Sequence, residues 1–281
     1  MSQSKDYFGH DHVTVIEPPG GWRMLDWREL WAYRELLWVL TSRDVKVRYK
    51  QTVLGSGWAI LRPVLSMLIF TVVFGRLARM PSDGVPYPLF VYAALLPWIF
   101  FSSAVGTSAH SLVGSTQLVS KVYFPRLIIP LSSVGAGIMD LVISTAVLGA
   151  MMGWYGIGWT PQLLAAPLVL LAVVFVALGV GTLLSALTVA YRDFTHITPF
   201  LMQIWMFATP VVFPLTLVPE RWRWLFYLNP MTGVIEGSRA AFLGRPFDLG
   251  GMGISLAMAV LVFALGVAYF EKVERRFADI I

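Results

Sequence analysis

The chain has 281 residues, 57% of them hydrophobic and only 13% charged, with a mean hydropathy of +0.70 and a formal net charge of +5. Such values exclude an ordinary soluble globular domain, and with most of the length committed to apolar runs no separate soluble catalytic domain fits. Cysteine is absent, which excludes disulfides and thiolate metal sites, and no nucleic-acid partner is expected.

Residues 1–21 read as a polar tail. No apolar h-region follows its first 17 residues, so no signal peptide is expected. Within it His10, Asp11 and His12 could hold a metal weakly, against the plainer reading of a disordered segment; no other metal site is expected. From Asp26 onward Trp27, Leu30, Trp31, Arg34, Leu37 and Trp38 recur at helical spacing, with Asp26 and Glu29 as a capping pair. This pattern predicts an amphipathic helix over about 26–41, lying in the membrane interface with Arg34 snorkelling, or else packed on another protein chain. Arg43, Lys46, Arg48 and Lys50 then precede the first span, with Arg62 one turn inside it. Such a cluster attracts anionic lipid head groups at about 1 kcal/mol per basic residue, although the topological bias of positive loops accounts for some of it. Gly55 and Gly57 permit the sharp change from interfacial to spanning helix.

Two stretches free of charged side chains, 84–120 and 194–219, run for 37 and 26 residues. A bilayer is crossed by about 20 apolar residues in helical form. Reading such runs between breakers predicts six spans, near 57–77, 87–113, 126–152, 163–190, 196–214 and 252–271, so that 22–281 forms one all-α membrane domain. Of the Lys and Arg residues 15 fall on one side of this arrangement and 6 on the other, which places both termini in the cytoplasm. Between the fifth and sixth spans, residues 217–244 mix aromatic and charged side chains, with Pro219 and Pro230 each where a helix can begin. They read as two short helices re-entering the outer leaflet, or as an ordinary extracytoplasmic loop with surface helices.

Chemistry of its own is scarce. The chain has no GxxxxGK[ST] phosphate loop, no HExxH and no GxSxG elbow. Asp140 is the only carboxylate well inside a run; a role in transport, a hydrogen bond to Ser132, Ser133 or Ser144, or a place by a polar cavity would each explain it. One acid makes no proton relay, so energy for transport must come from elsewhere. A membrane glycosyltransferase or acyltransferase needs carboxylates gathered at one face, and here they are scattered. Asp193 and His196 stand at i, i+3, where a cytoplasmic surface contact is the plainer reading. Aromatic residues gather in span two (Trp98, Phe100, Phe101) and span five (Trp205, Phe207, Phe213). Sugar rings have apolar faces that could slide along such a stripe in a channel, while interfacial and lipid-facing aromatics are the common case.

The stretches LLPWIFFSSAV (95–105), LVSKVYFPRLIIPL (118–131), ALTVAYRDF (186–194) and the run from Phe207 to Gly244 together resemble the permease subunits of type-2 ABC exporters for bacterial surface polysaccharides. RYKQTVLGSGWAILRP (48–63) is similar to that family's approach to span one. The resemblance covers the chain from about residue 40 to its end and implies a homodimer bound to two copies of a separate ATPase subunit, which would hold ATP and Mg. It implies a non-enzymatic transport subunit of the bacterial inner membrane that exports lipid-linked O-antigen, capsule or teichoic acid through a channel at the dimer centre. By the same resemblance Ser115, Thr116, Gln117, Leu118 and Lys121 belong to the coupling helix, with Tyr191, Arg192 and Asp193 as a second cytoplasmic contact. Arg43, Lys46, Arg48, Lys50 and Arg62 would meet the pyrophosphate of the lipid carrier, and Glu220, Arg221, Arg223, Glu236 and Arg239 would belong to the outer gate. An ABC efflux permease for lipids or drugs would share this fold, and an integral membrane glycan-modifying enzyme is the alternative of another class.

Overall fold

Proline and glycine set most helix boundaries. The computed structural model describes residues 27–50, 55 and 57–274; the expected tail at 1–21 with His10, Asp11 and His12, and the cap residue Asp26, lie outside the described residues. Among the described residues every regular element is helical and none is a strand. Helices α1 (Trp27–Ala32) and α2 (Arg34–Lys50) meet at Tyr33, and α3 (Gly57–Phe70) continues through a π-helical stretch, Thr71–Leu77. Helix α4 (Tyr87–Gly114) starts between Pro86 and Pro88, whose missing N–H groups fall where a helix has no acceptor to offer. A short α5 (Thr116–Lys121) leads to α6 (Ile128–Trp154), and a 3-10 turn at Pro161–Ala165 leads into α7 (Ala166–Ala190). Then come α8 (Phe194–Phe207), α9 (Glu220–Tyr227), α10 (Pro230–Leu243) and α11 (Leu249–Glu274). The α10 helix is capped at one end by the Asn229 side chain, which accepts from the Met231 N–H at 3.0 Å, and closed at the other by Gly244 in the left-handed conformation.

Among the described residues five helices are long and apolar enough to cross a membrane: Gly57–Leu77, Tyr87–Gly114, Ile128–Trp154, Pro161–Ala190 and Leu249–Glu274. They match five of the six expected spans to within a few residues. The span expected over 196–214 differs, because α8 has 14 residues and so rises only about 21 Å. Its end has a local cause: Pro210 disfavours helical geometry at Thr209, and the chain turns at 208–213 instead. The segment expected as one helix over 26–41 also differs, being broken at Tyr33 and extended to Lys50. Helix α2 packs along α6, with Leu40 buried while Trp38 and Val47, like Trp31 of α1, stay exposed. Close approach there depends on Gly135, where a Cβ would come 3.3 Å from the Thr41 side chain.

Helix α4 is the centre of the bundle. Its apolar window is 78% buried against 17% for the first span, so α4 carries the core while α3 presents apolar surface outward. It packs on α6, α7, α10 and α3. Pro97 interrupts it, and the carbonyl of Ala93 that would have accepted the missing N–H accepts the Ser238 hydroxyl of α10 at 2.7 Å instead. Helices α7 and α11 cross at bare backbone, since a Cβ on Gly266 would lie 2.6 Å from the Gly179 carbonyl oxygen. A second apolar cluster forms at the end of the bundle that carries α5, joining Leu40, Leu112, Val119, Ile128, Val189 and Phe270.

Candidate functional site

Helices α2, α3, α4 and α6 enclose a cavity of about 350 Å³. Helix α2 supplies Arg48 and Tyr49, and α3 supplies Trp58 and Arg62. Helix α4 contributes Phe100, Ser103 and Thr107, and α6 contributes Asp140 and Ser144. Asp140 is met here by neither Ser132 nor Ser133, whose hydroxyls donate to the Ile129 carbonyl of their own helix. Its partners are Arg48, at 2.5 Å from one carboxylate oxygen, and the Tyr49 hydroxyl, which donates to the other. Both members of the ion pair keep about a quarter of their side-chain surface exposed, 25% for Arg48 and 28% for Asp140. Burial, then the bond to Asp140, pushes the Tyr49 phenol up to about 12: an ionised phenol would face the carboxylate it now serves.

Of the five basic residues singled out from the sequence, the structure brings Arg48 and Arg62 to one cavity and leaves Arg43, Lys46 and Lys50 outside it. Those three line an open concave face of α2 beside Trp38 and Val47, and Arg43 pairs with the neighbouring Asp44 at 2.9 Å. Tyr49 borders both surfaces. Sequence reading did not mark Tyr49; the available signal was its place between Arg48 and Lys50, the first of which finds Asp140. Phe100, expected among channel aromatics, borders this cavity and packs beside Gly137, where a Cβ would come 3.1 Å from its ring.

The other aromatics divide. Trp98 and Phe101 are buried in the core of the bundle, with ring centroids 5.6 Å apart, and Phe101 meets Trp205 edge-on at 5.2 Å. Trp205 donates its Nε1–H to Asn229 at 2.9 Å. Phe213 stands edge-on to Phe226, while Phe207 is exposed.

At the α5 end, α5 turns Val119 into the second apolar cluster and leaves Gln117, Ser120 and Lys121 exposed. Ser115 and Thr116 are half-buried, as is Leu118. Tyr123, just beyond, is 74% exposed and was not marked from the sequence. Tyr191, Arg192 and Asp193 lie exposed in the turn between α7 and α8, one turn from Val189, which belongs to the same cluster as Val119. Thus one apolar cluster joins both expected contact segments to α2 through Leu40. His196 donates its backbone N–H to the Asp193 carbonyl.

At the opposite end the turn 208–213 is pinned from three sides. Arg239, wholly buried, donates to the carbonyls of Val211 at 2.8 Å and Phe213 at 3.3 Å, pairs with Glu236 at 2.7 Å and stacks 3.7 Å over Phe90. Tyr87 donates to the Val212 carbonyl at 2.8 Å, and Asn229 donates to the Thr209 hydroxyl at 2.8 Å. Glu220 and Arg221 are exposed, and Arg223 donates to the Val218 carbonyl. The five expected gate residues therefore separate into an ion pair on α10, with Arg239 buried and Glu236 half-buried, and a group on α9 nearer the surface. Asp83, which accepts from Arg245 at 2.8 Å, ties the α3–α4 loop to the same region.

Residues 35–243 match the family described as ABC-2 type transporter. The chain is 33% identical over 256 residues to the O-antigen export system permease protein RfbA of Myxococcus xanthus, covering 90% of this chain and 97% of that protein. It is 28% identical over 250 residues to the RfbA permease of Klebsiella pneumoniae, covering 88% and 95%. Against the polysialic acid transport protein KpsM of Escherichia coli it is 25% identical over 242 residues, covering 84% and 92%.

Proposed function

The chain belongs to the ABC-2 type transporter family, and from that premise we propose that it is the channel-forming subunit of an ATP-driven exporter of lipid-linked polysaccharide in a bacterial inner membrane. The observation that carries this reading is likeness along nearly the whole length of an O-antigen export permease, rather than over a shared fragment. The chain has no phosphate-binding loop, so hydrolysis belongs to a partner ATPase that binds ATP and Mg.

Two copies of this chain and two ATPase subunits form the working unit, with the glycan passing between the copies. Both termini face the cytoplasm, and six crossings are completed by α8. That helix is too short alone, but the backbone that follows it at 208–213 has its carbonyls met by Arg239 and Tyr87, which supports burial of non-helical chain at membrane depth. On this reading α9 and α10 re-enter the outer leaflet and, with Glu220, Arg221, Arg223, Glu236 and Arg239, form the outer gate. Helices α1 and α2 lie at the cytoplasmic interface, where Arg48 and Arg62, with Arg43, Lys46 and Lys50 nearby, receive the phosphate of the lipid carrier.

The coupling contacts are α5 and the turn at Tyr191–Asp193. Closure of the ATPase pair on ATP displaces them, and the apolar cluster shared by Val119, Val189 and Leu40 passes the movement to α2 and the bundle. The free energy comes from the different nucleotide affinity of the two states, since this chain only converts displacement into opening. Trp98, Phe100, Phe101, Trp205, Phe207 and Phe213 are candidates for aromatic surface met by glycan as the interface opens.

The test is reconstitution. Co-expression with a partner ATPase from the same organism should give a stable complex whose hydrolysis rises with lipid-linked glycan, and loss of this gene should abolish surface polysaccharide. Vectorial transport by the purified chain without an ATPase would overturn the reading.

A further inference from the structure

Two cations border one cavity, but the chain neutralises only one of them. Arg48 is 2.5 Å from a carboxylate oxygen of Asp140, whereas Arg62 makes no ion pair or hydrogen bond among the described residues. The other Asp140 oxygen accepts the Tyr49 hydroxyl. Adjacent residues of α2 therefore converge on one oxyanion, with a further cation and the hydroxyls of Ser103 and Thr107 on the walls around it. The cavity, about 350 Å³, is far larger than a carboxylate needs.

We propose that Asp140 is an internal stand-in for the phosphate of an incoming lipid. In the empty subunit its carboxylate occupies Arg48 and Tyr49; a lipid phosphate displaces it and is gripped by Arg48 and Arg62 together. The inference rests on reading the chain as an exporter of phosphate-bearing lipid. The guanidinium fork fits carboxylate and phosphate by the same bidentate geometry, so exchange needs no change in the shape of the donor. A resident carboxylate keeps Arg48 from standing unpaired in a low-dielectric wall, which would be costly. It also keeps the site weak, because the displaced Asp140 repels the anion that replaced it. A transport site must bind well enough to load and poorly enough to release. Since Arg48 is on α2 and Asp140 on α6, exchange loosens α2 from α6 upon loading, and α2 shares its apolar cluster with α5.

The test is direct binding to the full chain in detergent micelles, with three probes: farnesyl pyrophosphate, inorganic pyrophosphate and phosphatidylglycerol. Asp140→Asn keeps an acceptor for Tyr49 but removes the competing charge, and it should bind farnesyl pyrophosphate about tenfold more tightly than the unmodified chain, within the usual range of coupling between sites. Arg62→Gln should weaken the same binding while leaving the melting temperature unchanged. If inorganic pyrophosphate follows the same order of variants, phosphate alone drives the exchange; if phosphatidylglycerol competes, bulk lipid is also a source. Binding by Asp140→Asn that is equal or weaker, in a folded variant, overturns the proposal. Should that variant fail to fold, unchanged binding by Arg62→Gln overturns it. No nucleotide or ATPase enters the measurement, so a chain that exports glycan in cells yet shows neither effect loses the stand-in and keeps its proposed function.

Discussion

Ser238 on α10 gives its hydroxyl to the carbonyl of Ala93 on α4, at 2.7 Å, in the place of the N–H that Pro97 lacks. The two residues lie 145 positions apart, and their bond fastens α10 to the central helix at the point where that helix cannot satisfy itself. Both are buried, so no water is at hand to replace the bond.

Ser238→Ala should therefore lower stability by about 1–3 kcal/mol, the usual cost of leaving a buried acceptor unmet. Pro97→Ala restores the N–H to α4, so adding it to Ser238→Ala should recover part of that loss. Thermal unfolding of the two single variants and the double variant in the same detergent checks the claim. Strict additivity would mean that the hydroxyl and the proline act separately.

Arg239 is the second place where one side chain answers for irregular backbone. It is wholly buried, paired with Glu236 and bonded to the carbonyls of Val211 and Phe213. Arg239→Ala leaves the Val211 and Phe213 carbonyls without their donor, at about 1–3 kcal/mol for each buried group left unmet. Arg239→Lys keeps the charge but cannot fork to two carbonyls, and should free the turn with a smaller loss of stability. The chain has no cysteine, so Val212→Cys supplies a unique probe in the turn. Its maleimide labelling should be slow in the parent and faster when Arg239→Lys is added; equal rates would show that Arg239 does not hold the turn.

How much of this could be read from the residues alone differs by element. Helices α3, α4, α6, α7 and α11 were legible because each is an uninterrupted apolar run whose length alone suits a bilayer. Helix α8 was not, because Leu215, Val211 and Val212 continue the apolar pattern past Phe207 while Pro210 redirects the backbone. Hydropathy registers the side chains and is blind to that turn. Asp140 was recognised as costly, yet its partners lie 92 and 91 residues away on α2, and only the course of α2 along α6 joins them. Arg239 enters as a gate residue only through the family resemblance, while its burial over Phe90 depends on how α10 packs across α4.

The Tyr49–Asp140 bond carries a pH dependence. The Tyr49 phenol is raised from an ordinary value near 10 to about 12 in the folded chain, chiefly by burial and then by Asp140. The folded state thus holds this proton more tightly than the unfolded one. The contribution to stability is complete below pH 10 and is lost as pH rises from about 10 through about 12. In Tyr49→Phe that part of the alkaline decline should disappear, leaving a flatter unfolding profile in the same range. An unchanged profile would mean that the alkaline sensitivity arises elsewhere.

The α5 end, proposed as the contact for the ATPase, is open to the same kind of test. Tyr191 and Tyr123 are large, exposed side chains, 58% and 74%, flanking the one apolar cluster that includes Val119 and Val189. Exposed tyrosines backed by a packed cluster suit an interface in which a few aromatic anchors carry most of the binding energy. Tyr123→Ala or Tyr191→Ala should leave the fold intact, since neither side chain is buried. Each should weaken assembly with the ATPase by about tenfold, which corresponds to roughly 1.4 kcal/mol. Val119→Ala differs in kind: it opens a small void behind α5, so assembly should persist while stimulation of hydrolysis by substrate falls, because displacement of α5 is no longer passed to the bundle. Measuring complex formation and stimulated hydrolysis on the same preparations separates the two effects. If Val119→Ala and Tyr123→Ala proved alike in both, docking and transmission would not be divided between the exposed and the buried face of this end.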